Sequence, residues 1–366
     1  MKADVTTVIA ALIVGAGISA IATWIIRRWS NLHGFIDRPG GHKGHSAPVA
    51  LGGGVAVTLA ILLPVLAATL VAKLFAVDCP AWVPAEFAVH FDGILSKLPM
   101  AMGVAAAMAA MCILGLIDDA HPLGPRIKLL VQLVIALFLV VGFDLRLLAH
   151  LGPGPSVVLS VVWILVLTNS LNFLDNMDGL TAGVAIIAAA VFGATSMLAG
   201  QLFVPTWCWL LVGALAGFLP YNFHPASIYL GDAGSLVVGL MLAILTILTT
   251  FADPAQGHRP FGVIAPLVVM AVPLYDTISV VFLRWRSGVP VWTGDRRHFS
   301  HRLVRRGMAV RRAVMIIWLA TLVTSLPALL LPRASWPMAC VIVAQTLLVV
   351  VLVALLESPG SVKRSS

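Results

Sequence analysis

The chain has 366 residues, of which 60% are hydrophobic and 10% charged, with a mean hydropathy of +1.03. A soluble surface needs far more charge than that, so a soluble enzyme, a nucleic-acid-binding module and a secreted disulfide scaffold are all excluded. The net charge of +8 sits mostly in the gaps between apolar runs, which points to a bilayer as the main solvent.

Apolar runs long enough to cross a bilayer, about 20 residues each, follow one another along the whole chain. They predict spans near 5–26, 51–72, 99–117, 127–143, 156–172, 180–199, 205–221, 234–251, 261–283, 313–331 and 337–356. That is an all-α, polytopic membrane helix bundle of about 11 helices, with 1–366 read as a single integral-membrane domain. The first run, Val5 to Ile26, lacks a basic leader and a small-residue cleavage site, so it reads as a span and not as a removed signal peptide. Cys79, Cys112, Cys208 and Cys340 show no metal-ligand or disulfide spacing. Assigning alternate loops to opposite faces puts 17 of the 23 Lys and Arg on one face, leaving Lys2, Lys73, Lys97, Arg146, Arg259 and Arg333 on the other. By the positive-inside rule the rich face is cytoplasmic. The protein is then expected in the inner (plasma) membrane with its N-terminus outside and its C-terminus in the cytoplasm.

Every dense polar motif falls in a loop of the basic face. The first runs Gly34-Phe35-Ile36-Asp37-Arg38-Pro39-Gly40-Gly41-His42-Lys43-Gly44-His45, then Pro48 and Gly52-Gly53-Gly54. Glycine, proline and basic side chains such as Lys43 and His45 suit a phosphate surface; an ordinary basic juxtamembrane loop is the competing reading. The next opens with Ile117-Asp118-Asp119 and continues to Lys128. Adjacent carboxylates repel unless a cation or proton intervenes, and magnesium is held by one or two carboxylates plus substrate phosphates. Two acids at a helix C-terminus also oppose its dipole, which disfavours a merely solvated helix end.

The stretch Asn169 to Leu180 places two carboxylates and several amides between two apolar runs. If it is helical, Asn172, Asp175 and Asp178 share one face, which must meet water, a ligand or a cation; an interfacial loop that solvates a helix end is the alternative. Further on, Asp232 lies between Gly231 and Gly234, with Ser235 after them and Tyr229 before. Such a turn opening a helix offers free N–H groups to an anion, and Tyr229 is placed to stack on a flat base. A tight turn capped by Asp232 also fits, but leaves Asn222 and His224 unexplained. Asp276 lies inside the ninth span, as a structural partner or a catalytic group. The last loop carries Asp295-Arg296-Arg297-His298-Phe299-Ser300-His301. A polybasic strip on anionic lipid has no need of its histidines.

Read together, five stretches resemble the polyprenyl-phosphate N-acetylhexosamine-1-phosphate transferases, glycosyltransferase family 4. They are Pro48 with Gly52-Gly53-Gly54; Asp118-Asp119; Asn172-x-x-Asp175-x-x-Asp178-Gly179; Gly231-Asp232-x-Gly234-Ser235; and Asp295-Arg296-x-His298-x-x-His301-x-Leu303 with Gly307. The resemblance implies transfer of N-acetylhexosamine 1-phosphate, above all GlcNAc 1-phosphate, from a UDP-N-acetylhexosamine to undecaprenyl or another polyprenyl phosphate. UMP is released, Mg2+ is required (Mn2+ being able to replace it), and the product opens a cell-envelope polysaccharide pathway. The phospho-N-acetylmuramoyl-pentapeptide branch carries three consecutive histidines, which this chain lacks. The sequence departs from the family pattern at Ser300, where a histidine usually precedes His301, and in the first loop, where His42 and Lys43 replace an arginine.

The residue chemistry and the resemblance agree, because the diphosphate charge must be neutralised as the bridging bond breaks. Asp118, Asp119 and Asp232 are the candidate magnesium ligands, and with His298 and His301 the candidate catalytic residues. Asn172, Asp175 and Asp178 with Tyr229 would hold the uridine or its neighbouring phosphate. His298, His301, Arg296 and Lys128 would clamp the phosphates, with Lys43 and His45 adding to that surface. The prenyl chain would lie along the lipid-facing bundle, and a homodimer is left open. Direct attack by the lipid phosphate is favoured over a covalent phospho-enzyme on a carboxylate such as Asp119. A cation-coupled transporter should put its acids near the midplane on broken helices, and a membrane scaffold would not need them.

Overall fold

The structure is a computed structural model describing residues 5–38, 48–81, 83, 85–249, 251, 257–292 and 297–357. Lys43, His45, Asp295 and Arg296 lie outside the described residues. The chain divides into two compact units, Met1–Thr250 and Phe251–Ser366.

In the first unit, α1 (Val5–His33) is followed by a two-residue hairpin, β1 (Ile36–Asp37) and β2 (Val49–Ala50), and by α2 (Gly53–Phe75). Two short helices, α3 (Ala85–Ala88) and α4 (Phe91–Ser96), lead into α5 (Leu98–Ala120), α6 (Pro125–Gly142), α7 (Pro153–Leu174), α8 (Leu180–Leu198), α9 (Phe203–Asn222) and α10 (Gly231–Leu248). The second unit holds a 3-10 turn (Pro260–Ile264), α11 (Ala265–Val269), α12 (Ala271–Arg286), α13 (Phe299–Arg305), α14 (Val310–Ser325) running into a 3-10 stretch (Leu326–Arg333), and α15 (Trp336–Glu357).

Ten of the described helices, counting α14 with its 3-10 extension, are long and apolar enough to cross a bilayer; the count is eleven if the bent pair Pro260–Val269 and Ala271–Arg286 is one span. The all-α expectation and the span count are borne out. The expected continuous span at 261–283 is not: it bends by 62° at Met270. Pro273 explains the break, since its ring opposes the carbonyl four residues back, at Val269, and it has no N–H to donate.

In a bilayer only helices satisfy their own backbone, so the bundle is built by packing helices through small residues. The centre of the first unit is α10, 78% of whose apolar window is buried, against 22% for α1. Gly54 of α2 and Gly115 of α5 let this happen: a Cβ at Gly54 would lie 2.1 Å from the Gly234 nitrogen, and one at Gly115 2.3 Å from the Ala233 nitrogen. Outward, Leu70, Val134 and Val158 are exposed, as lipid contact requires.

The ends of α1, α5, α7 and α9 and the starts of α2, α6, α8 and α10 gather at one end of this unit. Backbone bonds stitch them: Tyr229 N–H to the Ala50 carbonyl (2.8 Å), Gly53 N–H to that of Tyr229 (3.0 Å) and Gly54 N–H to that of Leu230 (2.9 Å). The hairpin is thereby tied to the segment that starts α10.

Candidate active site

The first-turn N–H groups of a helix lack intrahelical partners and carry the positive end of its dipole. In α10 they are met by Asp119, from the last turn of α5: one carboxylate oxygen accepts the Asp232 N–H (2.8 Å), the other the Ala233 N–H (3.2 Å). Gly231, at φ +70°, makes room, since a Cβ there would lie 2.5 Å from Asp119 Oδ2.

Its neighbour Asp118 turns elsewhere. One oxygen accepts the Leu123 N–H (2.8 Å) and the other meets Lys128 Nζ (3.0 Å), in the first turn of α6. The same ammonium pairs with Asp232 Oδ2. Asn172 Nδ2, from the last turn of α7, donates to Asp232 Oδ1 (3.0 Å) and to Ser235 Oγ (2.9 Å). Four helix ends thus converge on a pair of carboxylates, Asp118 and Asp232, that hold one cation between them.

Beside this centre the chain turns between α7 and α8. α7 stops at Leu174 and Gly179 takes φ +73°, so the single helical face considered for Asn172, Asp175 and Asp178 does not form. Asn172 goes to Asp232, whereas Asp178 Oδ2 lies 2.7 Å from His224 Nδ1 and accepts the Ala226 N–H at 3.0 Å. Asn222 binds both sides of this junction, accepting the Gly179 N–H (3.0 Å) and donating to the Ile228 carbonyl (3.0 Å). Asn222 and His224, which a simple capped turn left over, therefore brace the loop that carries Tyr229.

The electrostatics of this end are those of surplus negative charge. Burial pushes the Asp175 carboxyl up to about 8, and the charges of Asp232, Asp119 and Asp178 act in the same direction. The Tyr229 hydroxyl is raised by burial first and then by Asp178, Asp37 and Asp175. Asp37, at the end of β1, is a site neighbour that the sequence reading did not single out; its signal was a lone carboxylate in a loop otherwise rich in basic residues.

Among the described residues no three His, Cys, Asp or Glu side chains are arranged around one metal position. The donor chemistry nevertheless suits a hard divalent cation. Asp118 and Asp232 already share a cation, and magnesium takes only one or two carboxylates alongside substrate phosphates and water. Asp119 differs from them, since both its oxygens are engaged by backbone N–H groups.

In the second unit, Asp276 is fully buried in α12. Its Oδ2 lies 2.7 Å from His298 Nδ1 and its Oδ1 accepts the Phe299 N–H (2.9 Å), closing the start of α13. His301 follows on α13, partly exposed, and Ser300 between them is wholly buried. Position 300 thus faces the protein interior.

The profile described as glycosyl transferase family 4 matches residues 101–250, the stretch that supplies Asp118, Asp119, Lys128, Asn172, Asp175, Asp178, Tyr229 and Asp232. A probable undecaprenyl-phosphate N-acetylglucosaminyl 1-phosphate transferase of Bacillus subtilis (strain 168) is 27% identical over 343 residues, 90% of this chain and 86% of that protein. The undecaprenyl-phosphate alpha-N-acetylglucosaminyl 1-phosphate transferase of Yersinia pestis is 26% identical over 303 residues, covering 78% and 74%. A decaprenyl-phosphate N-acetylglucosaminephosphotransferase of Mycobacterium tuberculosis (strain CDC 1551 / Oshkosh) is 35% identical over 243 residues, covering 59% and 60%. The resemblance read from the five loop motifs is borne out.

Proposed function

We propose that this chain, a multi-pass glycosyl transferase family 4 protein through residues 101–250, transfers N-acetylglucosamine 1-phosphate from a UDP-sugar to a polyprenyl phosphate and releases UMP. The observation that carries the reading is the shared cation of Asp118 and Asp232, set among further carboxylates at helix ends. Such a centre is made for a ligand that brings positive charge with it. A transporter's acids would be expected deeper, on broken helices.

In this reading Asp118 and Asp232 would hold Mg2+ (or Mn2+), which would supply charge neutralisation for the diphosphate. Lys128, whose ammonium stands beside both carboxylates, would face the phosphates. Asn172 keeps Asp232 aimed by holding its second oxygen. Asp175, Asp178 and Tyr229 receive the uridine, with His224 fixing Asp178. His298 and His301 bind phosphate oxygens, with Arg296, Lys43 and His45 adding positive charge. The prenyl tail lies along the lipid-facing helices. The site faces the cytoplasm, an orientation supported by the bias of Lys and Arg to that face.

The acceptor needs no base. A phosphate monoester has a second pKa of about 6, so its oxygen is already anionic near neutrality. That oxygen forms the new bond to the sugar-linked phosphorus, the bridging P–O bond breaks, and UMP leaves with the electron pair. Asp119 is a poor alternative nucleophile because two backbone N–H groups occupy its oxygens.

The test offers purified protein several radiolabelled UDP-sugars with polyprenyl phosphate and magnesium. Lipid-linked sugar phosphate and UMP are the expected products, with UDP-GlcNAc the best donor. Labelled UMP should enter UDP-sugar only when lipid is present. Exchange without lipid, lost on Asp119→Asn, would establish the covalent route instead. Flux of a cation across vesicles with no lipid product would overturn the assignment.

A further inference from the structure

We propose that Glu357, in the last turn of α15, is a positioning residue for the histidine segment 298–301. The inference rests on the reading that His298 and His301 act on the substrate phosphates. α13 has seven residues, too few to be stable or oriented by its own hydrogen bonds, so its placement must be imposed from outside. Asp276 imposes it at the start, through the Phe299 N–H and His298 Nδ1. A single point of attachment still leaves a short helix free to pivot.

The second attachment is one turn further on. Arg302 Nε donates to Glu357 Oε2 (3.0 Å) and Arg302 Nη2 to Glu357 Oε1 (2.9 Å), a two-pronged contact that fixes angle as well as distance. Arg302 Nη2 also donates to Ser279 Oγ (2.9 Å), and the Tyr275 hydroxyl donates to Glu357 Oε1. The side chains of Arg302 and Glu357 are only 12% and 9% exposed, so neither charge can fall back on solvent if its partner is lost. Tyr275, Asp276 and Ser279 all stand on α12. That helix is therefore the base to which both the start and the middle of α13 are fixed, and Glu357 is the bolt at the second of these points. It lies 55 residues after Arg302 and outside the stretch that matches the family profile.

The experiment compares full-length wild type with Glu357→Gln, Glu357→Asp, the swap Arg302→Glu/Glu357→Arg, and His298→Asn and His301→Asn, in turnover of UDP-GlcNAc with polyprenyl phosphate. Rates are divided by the amount of folded protein, from parallel thermal melts. A loosened α13 in Glu357→Gln should lower kcat on the order of 10²-fold and leave the donor KM within about twofold, because binding elsewhere is untouched. Glu357→Asp and the charge swap should each recover part of kcat. Wild-type kcat in Glu357→Gln beside inactive histidine variants would overturn the positioning role and leave the histidine reading intact. Wild-type kcat in both histidine variants would remove the reading itself, and the proposal with it. Loss in Glu357→Gln accounted for wholly by unfolded protein would reduce Glu357 to a stabilising residue.

Discussion

Lys128 reaches from the first turn of α6 to the carboxylate of Asp232, 104 positions further along the chain, while also holding Asp118. One ammonium thus bridges two acids that would otherwise repel each other, leaving the trio one negative charge in surplus. Replacing Lys128 by Gln should lower turnover on the order of 10²- to 10³-fold, the scale for losing one aligned charge or donor at a reacting centre. It should also enlarge the rise in melting temperature on adding magnesium, because the vacated pair then demands another cation. A Lys128→Gln enzyme with wild-type turnover and an unchanged magnesium response would remove this lysine from the site.

The adjacent acids Asp118 and Asp119 have different partners and should fail differently. Asp119→Asn keeps the size of the side chain but weakens its hold on the start of α10. A loss of about 1 kcal/mol of stability, on the scale of a helix cap, should accompany its loss of activity. Asp118→Asn should lose activity with little change in melting, since it relieves repulsion as well as removing a salt bridge. Identical melting of both variants would mean that the Asp119 contacts contribute nothing to stability.

The raised pKa of Asp175 makes a statement about stability. An unfolded aspartate titrates near pH 4, whereas in the folded chain this carboxyl titrates near 8. Between those values the folded protein keeps a proton that the unfolded chain has released, so stability must fall as pH rises across that window and level off above it. Asp175→Asn should flatten the slope, melting above wild type at about pH 8.5 and approaching it at about pH 4. Melting curves of the two proteins from acid to alkaline buffer decide the matter, and parallel pH slopes would contradict it.

The close approach of α5 to α10 gives a test that leaves every site side chain in place. In Gly115→Ala the new methyl would lie 2.3 Å from the Ala233 nitrogen, so the backbone beneath Asp232 must shift, at about 1–3 kcal/mol. Gly17→Ala, with nothing within 4 Å of its new carbon, is the control and should be neutral. Activity of Gly115→Ala should fall with its stability; full activity would show that Asp232 tolerates the movement.

Much of this architecture is legible in the sequence because a bilayer enforces simple rules. The spans follow from apolar length alone, and the placement of Asp118, Asp178 and Asp232 at helix ends follows from where those spans stop. What escapes is whatever depends on the third dimension. Nothing local reveals that Asp119 caps a helix beginning at residue 231, or that Asn172 and Asp178 face different partners once α7 stops at Leu174. Asp276 was visible as a buried acid, but its bond to His298 spans 22 residues. The break at Met270 was readable, because Pro273 sits where it must interrupt a helix; hydropathy smooths over such local stops.

The most enclosed helix of the first unit, α10, is also the last of that unit to be synthesised. A ribosome delivering this chain releases α1 to α9 into the membrane before Gly231 to Leu248 emerges. Until then α2, α5 and α7 must stand around a slot with no occupant, with Asp119 lacking the N–H groups it caps and Lys128 lacking Asp232. Nascent chains stopped before residue 231 would therefore carry an open cleft within the lipid, with Asp118 and Asp119 at its mouth, a ready target for membrane proteases and insertion chaperones. Arrival of the eighth long helix closes the cleft and joins Asp232 to Asp118 and Lys128 in the same event, so the acid–lysine centre of this unit has no half-assembled form.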